Sequence, residues 1–258
     1  MTQTISDSET TTDRFLDGAL VLRQPRKGHR SGTDAILLAA AAPGDFEGHA
    51  LDLGAGVGAA GLALAVKRPH LTIGLVEREP GTAQLAAENL HLNQLAERGH
   101  VFVADLLSPA SRREAGLKEG AAQMVITNPP FYDPACMRPP QDARRRQAAM
   151  MEAAGPVPLE RWIGASLALL AADGLFLMIH RPEVLGTIIG ACAGRAGALV
   201  ILPIQTSPKS CAKRVLIRAR KGSRAPLAIA PPLVLQNQGR FTDEAEAIHR
   251  GTAFIDWP

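Results

Sequence analysis

The chain has 258 residues, 46% hydrophobic and 21% charged, a balance that fits one α/β unit closing a real core and excludes disordered, fibrous and repeat proteins. Aromatics make up only 4%, so Ala, Leu, Val and Ile must build that core. Basic residues outnumber acidic ones 28 to 25, a net of +3 that says little about a polyanionic partner until the positions of the charges are known.

Residues 1–14 are rich in Ser, Thr, Asp and Glu and are expected to form a frayed tail ahead of a single domain over 15–258. Their acidic start lacks the basic, then apolar pattern of a signal peptide, and no later apolar run is long enough to cross a bilayer, so a cytoplasmic protein is expected. Within an N-terminal extension (15–48), the alternation over 15–22 predicts a strand or hairpin, followed by a basic loop to Arg30. Ser31 or Thr33 is expected to cap a helix over 35–42. Strands then follow at 50–53, 71–76, 100–104 and 124–127, with helices at 59–67 and 80–93 and an irregular polar stretch at 109–119. After a long irregular insertion (132–158) come a helix at 159–170, a strand at 174–179, a helix at 182–193 and strands at 198–203 and 214–218. Strands alternating with helices of this length indicate βαβ units, hence a Rossmann-like α/β fold around a mostly parallel sheet.

Leu51-Asp52-Leu53-Gly54-Ala55-Gly56-Val57-Gly58 stands where the first long βα unit turns, and glycines there let the backbone turn sharply and approach a ligand closely. Glu77 closes the next strand, placed to accept from both hydroxyls of a ribose, and Asp105 closes the third, within reach of an adenine edge. Gly56-Val-Gly58-Ala-Ala-Gly61 also matches the dinucleotide fingerprint GxGxxG. Against a dehydrogenase, Asp52 precedes the loop, where it suits a ligand's ammonium better than a pyrophosphate, and the turn begins at Gly54. The loop by itself indicates a nucleoside without naming the cofactor.

Asn128-Pro129-Pro130-Phe131 follows the fourth strand directly. Two prolines fix the backbone and remove two donors, leaving carbonyls free. The Asn128 oxygen beside such a carbonyl offers two acceptors to an exocyclic amine, and holding both hydrogens out of plane localises a lone pair otherwise delocalised into the ring. Phe131 is placed to stack on a base drawn out of its strand, worth roughly 1–3 kcal/mol.

In this order and spacing, DLGAGVG, Glu77, Asp105 and NPPF resemble the S-adenosylmethionine-dependent methyltransferases that act on amino groups. The flanking segments GALVLRQPRKGHRSGTDAILLAAA and AKRVLIRARKG…PPLVLQNQGRFTDEA resemble the bacterial tRNA-Val (adenine-N6) methyltransferase family, which modifies adenine 37 beside the anticodon. The resemblance implies a seven-stranded sheet whose last strand is antiparallel, with Asn128, Pro129, Pro130 and Phe131 as the catalytic tetrapeptide. It implies S-adenosylmethionine held by Asp52, Gly54, Ala55, Gly56, Gly58, Glu77, Asp105 and Asn128, with Asp34 as a further contact. One departure is Phe131 followed by Tyr132, where related enzymes often carry Tyr directly after the second proline. NPPF is also shared with guanine-N2 methyltransferases of ribosomal RNA.

A sulfonium methyl is already activated, so positioning is the main task and no metal or covalent nucleophile is required. Cys136, Cys192 and Cys211 lie far apart without CxxC spacing and read as structural. A tRNA partner fits three basic clusters: Arg26, Lys27 and Arg30 in the early loop, Arg144, Arg145 and Arg146 in the insertion, and Lys209, Lys213, Arg214, Arg218, Arg220 and Lys221 around the last strand. Arginine outnumbers lysine 22 to 6, which favours bidentate phosphate contacts. The last cluster has a second reading, as charges that protect an edge strand from pairing. Two rival functions are a glutamine-amide methyltransferase of a translation factor and an RNA-binding module without turnover. Asp52 falls too early to leave room for the helical domain usual in the first, and the intact set Asp52, Glu77, Asp105 and Asn128 argues against the second.

Overall fold

The computed structural model describes residues 9–26, 31–130 and 158–258. The chain opens with an antiparallel hairpin of β1 (Thr10–Phe15) and β2 (Leu20–Pro25), in register from Thr10 opposite Pro25 to Phe15 opposite Leu20. Residues 10–14, expected in the frayed tail, are therefore strand. Thr12 and Arg14 are exposed on this ribbon and Thr10 is buried, while Leu20 and Leu22 on the partner strand are buried. Two asparagines one turn apart on α3 (Pro80–Leu92 and its C-cap) hold this ribbon in place. Asn93 accepts from Val21 N–H and donates to Val21 O at 2.8 and 2.7 Å, and Asn89 does the same to Arg23 at 2.7 and 3.0 Å. The two side chains act as a surrogate strand, matching the two-residue repeat of β2 with the four-residue repeat of a helix face. Asn89, fully buried, also donates to Val57 O in the glycine turn at 2.9 Å.

The main sheet contains β3 (Gly48–Leu53), β4 (Leu71–Glu77), β5 (Gly99–Val103), β6 (Ala122–Thr127), β7 (Leu170–His180), β8 (Ala196–Gln205) and β9 (Ala212–Lys221), in spatial order β8-β9-β7-β6-β3-β4-β5. β9 runs antiparallel to both neighbours and the other pairings among these strands are parallel. The seven-stranded core with one antiparallel strand is as expected. Two short strands, β10 (Ala228–Ile229) and β11 (Leu233–Val234), extend it by pairing with β8. A further ribbon joins β12 (Gln236–Asn237) to β13 (Arg240–Phe241).

Successive strand residues point to opposite faces, and that alternation divides the interior into two cores. Along β7, Leu175, Leu177 and Ile179 pack with α1 (Thr33–Ala40), α2 (Ala59–Val66), α3 and α7 (Asp243–Arg250). Phe176 and Met178 join α5 (Leu159–Leu169) and α6 (Leu185–Cys192) on the other face. Each fully buried Leu or Ile contributes about 1.5–3 kcal/mol by leaving water. Apolar side chains on both faces explain why the strands read as unbroken hydrophobic runs.

Several boundaries depart from expectation. Ser108 caps a short helix α4 (Pro109–Glu114) by accepting from Ser111 N–H at 3.2 Å, inside the stretch read as irregular. No side chain caps α1: the cap position is Gly32, the Ser31 N–H donates to Gln24, and the Thr33 hydroxyl faces His249 at 3.3 Å. β9 lies inside the sheet, so its charges do not protect an edge. Instead Arg218 lies over the Trp257 ring and donates to Pro258 O, and Arg220 donates to Asp173 O.

Replacing Asn89 by Ala leaves backbone groups of Arg23 and Val57 without their partners in the interior. Urea unfolding should show a loss of about 2–4 kcal/mol; a loss under about 0.5 kcal/mol would show that the hairpin is held by apolar packing alone.

Candidate functional site

Parallel register places the expected residues along one edge. Leu53 lies opposite Val76 on one side and Thr127 on the other, and Glu77 lies opposite Val103. Gly54, Glu77, Asp105 and Asn128 therefore leave the sheet at the carboxyl ends of adjacent strands. The chain winds outward from β3 through β4 to β5, then returns to β6 on the other side of β3. Such a reversal opens a crevice between the loops that diverge from it, the usual ligand position in doubly wound sheets.

The glycine turn is built for that crevice. Gly54, Gly56 and Gly58 have φ of +72°, +58° and +89°, in the left-handed region that favours glycine. No heavy atom lies within 4 Å of where a Cβ on Gly56 would sit, so the turn presents bare backbone to open space. Gly54 and Ala55 donate to Val76 O at 2.9 and 3.0 Å, tying the turn to β4. Glu77 completes it, accepting from Gly56 N–H through Oε2 and from Glu79 N–H through Oε1, both at 2.9 Å. The carboxylate is thus oriented by two backbone amides, and each oxygen keeps a further lone pair for a hydroxyl donor. Asp105 is held similarly, its Oδ1 accepting from Leu107 N–H at 2.9 Å.

Asp52 differs from its expected role. It is 2% exposed, and its Oδ2 accepts from Gly61 N–H at 2.8 Å, so the carboxyl braces the start of α2 beneath the turn instead of opening toward a ligand's ammonium. Burial pushes its pKa up to about 7; the Gly61 hydrogen bond opposes the rise and nearby Glu77 adds to it. Asp34 has Arg214 as its described partner, with Nε 2.7 Å from Oδ2, which makes it a link between α1 and β9. Phe131, Lys27, Arg30, Arg144, Arg145, Arg146 and Cys136 lie outside the described residues. Arg26 is exposed at the end of β2. Cys192 is buried, its thiol pushed up to about 11 by burial, whereas Cys211 is exposed and has no part in the core.

At the end of β6, the Asn128 side-chain oxygen is buried and has no hydrogen-bond partner among the described residues. Leaving a buried acceptor unmatched costs about 1–3 kcal/mol, so such a group marks a place where a donor is expected to arrive. Pro129 beside it is buried and has no N–H to fill that need.

Three nearby residues gave no signal in the sequence. Thr127 Oγ1 donates to Leu53 O at 2.8 Å and accepts from Trp162 Nε1 at 3.0 Å. His180 ends β7, next to β6; its Nδ1 accepts from Arg181 N–H at 2.8 Å, and burial lowers its pKa to about 4, so the imidazole is neutral near pH 7. An isolated Thr, Trp or His in an apolar stretch looks like core; only the strand order brings these to the crevice. Among the described residues, no three His, Cys, Asp or Glu side chains form a group able to hold a metal ion, and no helix is long and apolar enough to cross a membrane.

Comparison with known proteins agrees with this geometry. Residues 29–142 match the family model described as the methyltransferase small domain. The tRNA1(Val) (adenine(37)-N6)-methyltransferase of Yersinia pestis (strain Pestoides F) is 30% identical over 172 residues, a match covering 66% of this chain and 64% of that protein's length. A solved Agrobacterium tumefaciens structure, described as a predicted O-methyltransferase, is 32% identical with a TM-score of 0.72, covering 86% of this chain and 98% of that one. The T. thermophilus 16S rRNA N2 G1207 methyltransferase, solved with AdoMet and guanosine, shares the fold at 20% identity and a TM-score of 0.56, covering 82% of this chain and 50% of that one.

The Asp52 carboxyl makes stability depend on pH in a defined direction. Its folded pKa, about 7, lies above the ordinary 3.8, so its contribution is fully present below about pH 4 and is lost as pH rises through 7. Asp52→Asn keeps an oxygen for Gly61 N–H without the charge. Urea unfolding should show the variant gaining on the wild type by roughly 3–4 kcal/mol between pH 4 and pH 8; parallel curves would mean that the carboxylate is not held in a dry site.

Proposed function

This chain belongs to the methyltransferases, and from that premise we propose that it methylates the exocyclic N6 amine of an adenine in tRNA, using S-adenosylmethionine. The observation that carries this reading is the unmatched, buried Asn128 oxygen at the strand end beside the glycine turn. The names of the curated relatives support adenine 37 of tRNA-Val as the position. A tRNA substrate implies action in the cytoplasm.

The residues present fit the cofactor. Bare backbone at Gly56 suits close approach of a nucleoside, and the Glu77 carboxylate beside it suits ribose hydroxyls. Asp105 stands at the neighbouring strand end, where an adenine edge would lie. When bound, S-adenosylmethionine supplies a methyl group already activated by its positive sulfur.

The protein's contribution is then orientation. A base swung out of its strand presents an NH₂ group, and Asn128 Oδ1 accepts one of its hydrogens while a carbonyl of the Pro-Pro turn accepts the other. With both hydrogens held, the nitrogen lone pair is freed from the ring and would be directed at the donor's methyl carbon; the carbon–sulfur bond would break as the nitrogen–carbon bond forms, a neutral thioether would leave, and the nitrogen would then lose one of its two held protons to solvent. Positive charge growing on nitrogen meets two fixed oxygen dipoles, which need no reorganisation. An oxygen nucleophile, as the description of the Agrobacterium relative would suggest, has at most one hydrogen for this acceptor pair and requires a base; His180, at the neighbouring strand end, is a poor one, its Nδ1 lone pair taken by Arg181 N–H and its pKa lowered to about 4 by burial. Arg26, Lys27, Arg30, Arg144, Arg145 and Arg146 supply phosphate contacts in this reading.

Calorimetric titration should detect S-adenosylmethionine at micromolar strength and no binding of NAD; the reverse order would overturn the cofactor assignment. Asn128→Ala should lower methyl transfer by roughly two to three orders of magnitude, on the scale of one lost oriented dipole, with cofactor affinity nearly unchanged. An equal fall in both would make Asn128 a structural residue.

A further inference from the structure

Trp162 touches both halves of the site. Its Nε1–H donates to Thr127 Oγ1 at 3.0 Å, while its Cζ2 and Cη2 lie 3.0 Å from where a Cβ on Gly54 would be. The Thr127 hydroxyl passes the connection on, donating to Leu53 O at 2.8 Å. Thr127 precedes Asn128, the acceptor for the amine, and Leu53 precedes Gly54, the start of the cofactor turn. Thr127 is wholly buried and Trp162 is 8% exposed, so neither is presented to a bound substrate.

The chemistry of the relay restricts its geometry. A threonine hydroxyl has one proton, and here Leu53 O takes it, so the oxygen faces the indole N–H as an acceptor. An indole N–H can only donate, which fixes the ring in one orientation against Gly54. The ring cannot move without either striking the Gly54 backbone or losing its hydrogen bond in the interior. β3 and β6 already pair through their backbones up to Leu53 and Thr127, where the ladder ends. The relay therefore starts where backbone pairing stops.

We propose that Thr127 and Trp162 are positioning residues that set the separation between the glycine turn and Asn128, and so align the methyl donor with the target amine. This rests on the function proposed above. In-line transfer depends steeply on such alignment: a displacement of about 1 Å can lower a rate by about 100-fold.

Three variants separate alignment from packing. Thr127→Val keeps the shape and removes the hydroxyl, Thr127→Ser keeps the hydroxyl, and Trp162→Phe keeps an apolar ring without the N–H. All are assayed below their own melting temperatures, for kcat, KM for RNA and S-adenosylmethionine affinity. Indole N–H resonances are followed in ¹⁵N-labelled protein, which has only two tryptophans, Trp162 and Trp257. Adding the cofactor to the wild type should shift the Trp162 resonance and leave that of Trp257 in place. Thr127→Val should displace the Trp162 resonance before any cofactor is added. It and Trp162→Phe should lower kcat by about 10- to 100-fold with binding changed by less than about threefold, and Thr127→Ser should restore kcat to near wild type. A folded Thr127→Val protein with wild-type kcat, or a Trp162 resonance unmoved by bound cofactor, would overturn the positioning role. A wild type that transfers no methyl group would instead defeat the proposed function, while the resonance response would still decide whether Trp162 senses the cofactor turn.

Discussion

Parallel pairing sets Leu53 between Val76 and Thr127, and the placement of the site follows from that register. A shift of one residue in either pairing would turn Asp52 or Thr127 toward the opposite core and take Asn128 out of line with the glycine turn, because side chains alternate faces. The register is enforced by two apolar cores that accept only one set of faces each. The chain reverses direction at β3, so the loops after β3 and β6 must part, and the space between them is where a ligand can reach both.

Features unfavourable to folding gather at this edge. A carboxyl with a pKa raised by burial lies under the turn, a side-chain oxygen lacks a donor, and three glycines hold left-handed backbone. Each fits a site prepared for a ligand that brings what is missing, and the small-residue interior elsewhere supplies the compensating stability. The hairpin of β1 and β2 belongs to the same arrangement. Asn89 joins β2 to Val57, so the segment leading into the basic loop is connected to the cofactor turn through a single buried amide.

How far the sequence was legible depended on whether a role is local. The glycine turn, Glu77, Asp105 and Asn128 could be read because each stands at a strand end marked by its own neighbours. The mostly parallel sheet followed from the regular alternation of strands and helices, and its antiparallel last strand from the family resemblance. The hairpin strand over residues 10–14 was hidden because Thr-rich segments look like a tail until a partner strand is found. Charges on β9 suggested an edge, since nothing in ARARK reveals that strands lie on both sides. Asp52 was placed at the right spot and given a ligand-facing role that its burial does not support. Helix α7 went unread, although Thr242 caps its start and left-handed Gly251 follows its end. Thr127 and Trp162 had none, because their partners are 74 and 35 positions away.

The acceptor pair proposed at Asn128 would serve the NH₂ group of adenine N6 and of guanine N2 alike. The direct test is to incubate the protein with total RNA and isotopically labelled S-adenosylmethionine, digest the RNA, and identify the labelled nucleoside by mass spectrometry. Label in N6-methyladenosine from the tRNA fraction is the result expected here. Label on a ribose oxygen, or on a base carbon, would contradict a site built to hold an amine.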